Sequence, residues 1–128
     1  MATTKPGKPA HITGWILTAL IAAAMTGSGI VKLIAPAGYL ESVEKIGWTQ
    51  DNLPTLAVIE FVCVALFLFP KTAVLGATLI VGYFGGAIAT YVRIDLPDWP
   101  VPLAFGIVAW LALFLRYPAL RKLTPLTR

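Results

Sequence analysis

The chain has 128 residues, of which 58% are hydrophobic and only 12% charged, with a mean hydropathy of +0.81. Soluble domains carry about 25% charged residues, so this chain lacks the polar surface to cover a core in water, and most of it must face lipid. The net charge of +4 does not mark a nucleic-acid partner. The basic residues gather near the ends of apolar stretches, and no basic stripe interleaved with aromatic residues is present to follow a phosphate backbone.

The first apolar stretch spans residues 12–35. Lys5 and Lys8 before it, and Ala22, Ala23 and Ala24 within it, resemble a cleavable secretion signal. The stretch runs on to Ala35, however, and a retained first helix is expected. In the following connection Leu40, Val43 and Ile46 (or Gly47) fall at helical spacing, while Glu41, Ser42, Glu44 and Lys45 point elsewhere. This pattern predicts a short amphipathic helix over 37–47 on the membrane surface, ended by Gly47, with Trp48 at the headgroups. An irregular loop is the alternative. Pro54 opens the second stretch, 53–69, where a missing N–H costs nothing.

Pro70, Lys71 and Thr72 separate the second stretch from the third, 73–92, and force a tight antiparallel hairpin. Residues 96–100, with two prolines, lead into the fourth stretch, 100–117. A membrane-spanning helix needs roughly 17–25 apolar residues, and short connections favour alternating directions. The expected fold is an all-α integral membrane protein. It is an up-down-up-down bundle of four transmembrane helices in one membrane domain over 1–128, with the amphipathic helix between helices 1 and 2.

Lys5, Lys8, Lys71, Arg116, Arg121, Lys122 and Arg128 fall on the amino-terminal side of this topology, and Lys32, Lys45 and Arg93 on the other. The positive-inside rule therefore predicts both termini in the cytoplasm.

Glu60 is the leading candidate for a functional side chain. It lies about seven residues into the second stretch, roughly 10 Å below the outer membrane edge. A carboxylate there costs about 2.5–3.5 kcal/mol on insertion scales and normally has a partner inside the bundle. Lys32, near the outer end of the first helix, is at a similar depth. Helical spacing places Met25, Ser28, Gly29 and Lys32 on one side of the first helix, and Leu56, Glu60, Cys63, Val64 and Phe67 on one side of the second. Leu79, Tyr83, Gly86, Ala87 and Thr90 share a side of the third. The expectation is a polar pocket in the outer half, with Glu60, Lys32 and Tyr83 as candidate catalytic residues. Ser28, Glu60, Tyr83 and Thr90 are the candidate substrate contacts. The alternative is a purely structural ion pair that fixes helix register.

The remaining features carry less chemistry. Gly82 and Gly86 form a GxxxG whose expected use is packing within the bundle, with dimerisation into a homo-oligomer as the alternative; Ala23 and Gly27 read the same way. Trp15, Trp48, Trp99, Tyr39, Tyr91 and Tyr117 fall at headgroup level as anchors. Trp110 lies within the fourth stretch, which otherwise offers bulk. Cys63 and His11 are the only residues of their kinds, which rules out an intrachain disulfide, a CxxC pair, a zinc site and two histidine ligands to one haem within the chain.

Several runs, in order, resemble the DoxX-like family. They are 28–33 (SGIVKL), 56–61 (LAVIEF), 72–77 (TAVLGA), 82–93 (GYFGGAIATYVR) and 110–116 (WLALFLR). The resemblance spans nearly the whole chain after its first ten residues and implies a compact four-helix membrane protein of the bacterial inner membrane. It also implies an accessory subunit of a quinone-linked membrane redox complex, for which a quinone is the candidate ligand and no cofactor bound covalently or through metal ligands is expected. Three other readings stay open. One is a membrane enzyme acting on an isoprenoid-like lipophilic substrate with Glu60 as general acid or base. The others are a proton-coupled exporter and an assembly or scaffold factor.

Overall fold

A computed structural model describes residues 8–120, and the described residues contain five α-helices and no strand. They are α1 (Lys8–Ile34), α2 (Ala37–Lys45), α3 (Leu53–Leu68), α4 (Ala73–Arg93) and α5 (Pro100–Arg116). Three helical segments, Lys8–Ile34, Gln50–Leu68 and Pro70–Arg93, are long and apolar enough to cross a membrane, and the apolar Pro100–Arg116 is shorter at 17 residues. Lys5, Arg121, Lys122 and Arg128, which enter the orientation argument, lie outside the described residues.

Each long helix turns one stripe inward. On α1 the buried stripe is Gly14, Thr18, Ile21, Met25, Gly29 and Lys32, at the 3–4-residue spacing of one helix face. Leu53, Ala57, Glu60, Cys63, Val64 and Phe67 form that of α3. The four stripes close a ring in which α1 packs on α3, α3 on α4, α4 on α5 and α5 back on α1. Outward-facing side chains are as apolar as the core: Ile34 is 70% exposed, Phe69 68% and Ile107 59%. Water would penalise such a surface and lipid does not.

The turn between α3 and α4 is a 3-10 segment, Pro70–Thr72, in which the Thr72 hydroxyl donates to the Leu66 carbonyl (2.8 Å). It folds α4 tightly onto α3, and the closest backbone approach lies just beyond it. A Cβ on Gly76 would overlap the backbone nitrogen and Cα of Phe67. This is where small-residue packing operates, and it corrects the expectation placed on Gly82 and Gly86. Both are exposed, and a Cβ on either meets nothing within 4 Å; Gly27 is equally open. The buried stripe of α4 correspondingly holds Ala73, Gly76, Ala77 and Ile80, while Leu79 is 41% exposed.

The amphipathic segment is helical, as its pattern predicts, but ends at Lys45. The N–H groups of Gly47 and Trp48 donate to the carbonyls of Glu44 (3.1 Å) and Val43 (3.2 Å), a Schellman closure with Gly47 at φ +91°. Val43 is buried, and Arg93 at the end of α4 donates to the Ile46 carbonyl (3.4 Å). α2 therefore covers one end of the bundle.

Candidate functional site

Four side chains from three helices meet beneath α2. Ser28 and Lys32 are one turn apart on α1, so both project to the same side, and the Lys32 ammonium donates to Ser28 Oγ at 2.6 Å. Gly29 between them has no side chain, which lets the Phe61 ring of α3 lie against the α1 backbone; a Cβ there would run into that ring. The close approach brings α3 near enough for Lys32 Nζ to reach Glu60 Oε1 at 2.9 Å. Ser28 Oγ donates to the same oxygen at 3.1 Å, and the Tyr83 hydroxyl on α4 does so at 2.6 Å.

Ser28, Lys32, Glu60 and Tyr83 are thus brought together in the arrangement that their spacing predicts. One carboxylate oxygen takes all three donors. The other, Oε2, is buried with no hydrogen-bond partner. Such an acceptor in a low-dielectric interior is costly when left alone.

Thr90 does not join them. Its hydroxyl donates to the Gly86 carbonyl one turn back (2.9 Å), as a mid-helix threonine commonly does. Its side chain instead helps to line the space beside Tyr83.

Three cavities surround the cluster. The smallest, about 180 Å³, is lined by Ser28, Lys32, Glu60 and Tyr83 together with the rings of Phe84 and Phe105. These two rings stack at 5.4 Å. A second, about 270 Å³, lies under α2 against Tyr39, Val43 and Trp48. The third is a groove of about 600 Å³ along α3 and α4, where Gly82 and Gly86 leave the helix surface low. Tyr83 and Ala87 form part of the wall of all three. The site can hold a flat ring against aromatic walls and offer its polar edge a cation, a carboxylate and a phenol.

The family model of the DoxX-like family matches residues 16–112. The chain belongs to the DoxX-like family. The match contains Ser28, Lys32, Glu60 and Tyr83. Membership, together with the apolar helices, makes this DoxX-like protein a multi-pass membrane protein. No curated protein and no solved structure matches the chain.

Two buried polar residues of this DoxX-like protein, Thr18 and Arg116, are not evident from its sequence. Arg116, the last residue of α5, reads as a headgroup charge but is only 2% exposed. Its guanidinium lies 3.9 Å from the centroid of the Trp15 ring, and Nη1 donates to Thr18 Oγ1 (3.3 Å) and to the Phe67 carbonyl (3.2 Å). It joins α1, α3 and α5 at the end of the bundle away from α2, so the fourth long helix supplies more than bulk. Gly14 makes room for it, since a Cβ there would lie 2.9 Å from Arg116 Cγ. The available signal was Gly14 and Thr18 continuing the inward stripe of α1 below Ile21. Trp110 lies half-buried against Phe114 on the α4–α5 side. Cys63 is a buried free thiol. Among the described residues no group of histidine, cysteine or acidic side chains is placed to hold a metal.

Proposed function

We propose that this DoxX-like protein crosses the bacterial inner membrane four times, up-down-up-down, with both termini cytoplasmic. In its outer half it holds the ring of a quinone-type lipophile as an accessory subunit of a quinone-linked redox system. α5, an apolar helix of 17 residues that ends on Arg116, reaches the lower limit of about 17 for the fourth crossing. The observation that carries the reading is the Lys32–Glu60–Tyr83 cluster opening onto an aromatic-walled cavity of about 180 Å³. A cavity of about 150 Å³ accommodates a benzene ring. Tyr83 and Ala87 are shared between this cavity and the groove along α3 and α4.

The cavity beside Glu60 also favours a second reading, a membrane enzyme in which Glu60 acts as general acid or base on an isoprenoid-like substrate. The Lys32 ammonium at 2.9 Å weighs against it, because Glu60 Oε1 is already engaged by three donors rather than turned to a substrate. The same contact weighs against a proton-coupled exporter.

Titration of purified protein in lipid nanodiscs with a short-chain quinone analogue, followed by quenching of intrinsic fluorescence, tests the proposal. Glu60→Gln keeps the shape but uncouples the cation, and is expected to weaken binding about tenfold or more, the equivalent of one charged hydrogen bond. Identical titration curves for the wild type and Glu60→Gln would remove the cluster from the binding site.

A further inference from the structure

We infer that α2 is a lid, which swings on Ala35 and Gly47 and opens the space beside Lys32 and Tyr83 to the membrane surface. The lid serves the site proposed above, but its motion needs no ligand, so either can fail without the other.

α2 is held lightly. Each of the four long helices buries four to six residues, whereas Val43 is the single buried residue of α2. Six of the nine residues of α2 are exposed. Among the described residues, one hydrogen bond joins segment 36–48 to the rest of the bundle, from Arg93 Nη2 to the Ile46 carbonyl at 3.4 Å. That is longer than the roughly 2.7–3.2 Å of an ordinary N–H···O bond. The other hydrogen bonds of the segment close within it. An element with so few buried contacts opens well before the bundle around it.

Both ends of α2 can pivot. Ala35 lies at φ +49° and Gly47 at φ +91°. Pro36 follows Ala35 and has its own φ fixed by its ring, so rotation at that end falls on Ala35. An alanine in the left-handed region is strained, and movement of α2 lets it relax. Gly47 adopts its conformation without that penalty.

The lid covers the cavity of about 270 Å³, whose wall on the bundle side includes Ser28, Lys32 and Tyr83. Tyr39 and Val43 close it from α2. At roughly 30 Å³ per molecule the space takes several waters or a small polar head. With α2 down, a head held there is cut off from bulk water. With α2 raised, it enters and leaves through the headgroup layer without parting the long helices. Tyr39, at the headgroup level by its sequence position, is then a wall of the site that arrives with the lid.

The test follows one thiol under the lid. Ala87 lines the covered cavity from α4, and Ala87→Cys in a Cys63→Ala background is treated in nanodiscs with a charged, membrane-impermeant thiol reagent. Lipid bars a charged reagent from the groove side. Labelling is expected at a measurable rate that Val43→Ser, by removing the buried anchor, raises about tenfold. Cys63, buried in the bundle, reports general loosening when it is the only thiol, and should stay unlabelled with or without Val43→Ser. Arg93→Gln removes only the 3.4 Å contact at the surface and should raise Ala87→Cys labelling about threefold. It decides the matter if Val43→Ser does not fold. Ala87→Cys labelling that neither change speeds, complete protection included, overturns the lid. Labelling of Cys63 that rises in step with it in Arg93→Gln does so too, because the whole bundle would then be opening.

Discussion

Replacing Lys32 by methionine is expected to destabilise the protein in detergent by about 3 kcal/mol, and Glu60→Leu by a similar amount. Each single change strands a charge inside an apolar bundle: Glu60 with two hydroxyl donors in the first case, an ammonium beside Ser28 in the second. The second stranding has a partial remedy, because Lys32, two residues from the end of α1, can reach towards the headgroups. The double variant Lys32→Met/Glu60→Leu removes both charges and should recover most of the loss, because well-packed apolar replacements of a buried ion pair are often neutral. A thermodynamic cycle built on thermal or denaturant unfolding should therefore give a coupling of about 2 kcal/mol or more. Additive single effects would show that Lys32 and Glu60 do not depend on each other.

The second large effect is expected at Gly76. An added methyl would overlap the Phe67 backbone, and neither α3 nor α4 can yield next to a three-residue turn. Gly76→Ala should cost about 3 kcal/mol, at the upper end of ordinary overpacking. Gly82→Ala and Gly86→Ala are the controls. Open space surrounds both positions, and alanine is the better helix former by about 1 kcal/mol, so these variants should be neutral or slightly stabilising. Unfolding of the three variants side by side checks the contrast. A large loss at Gly82 or Gly86 would mean that a second copy packs on that face.

The same glycines mark the limit of what the sequence makes legible. A GxxxG spacing records where a helix can be approached closely, not which neighbour approaches it, so Gly82 and Gly86 read as a packing face and in fact floor a groove. Gly76, with no glycine four positions away, makes the contact because the Pro70–Thr72 turn leaves α3 and α4 no other distance. The long helices were readable because lipid demands continuous apolar length, and α2 because its polar and apolar residues separate cleanly.

The polar cluster was readable for a related reason. In an apolar helix each ionisable residue is conspicuous, and Ser28, Lys32, Glu60 and Tyr83 fall at one depth once the hairpin is drawn. Thr90 lies on the same side of α4, but its hydroxyl is satisfied within its own helix, a local bond that spacing alone does not exclude. Arg116 was hidden by its position. At the end of an apolar stretch an arginine looks like a headgroup anchor, and only the packing of α5 on α1 turns it inward over Trp15.

The proposed seat for the head of a membrane-dissolved ring is the space between Lys32, Glu60 and Tyr83. Photolabelling with a ring-azido quinone analogue in native membranes, followed by peptide mapping, tests it most directly. Labels are expected on Ser28–Lys32 of α1 and Tyr83–Tyr91 of α4, suppressed by excess unlabelled analogue and lost in Glu60→Gln. Labels confined to lipid-facing positions such as Ile12, Leu20 or Ile107, and insensitive to competition, would contradict it.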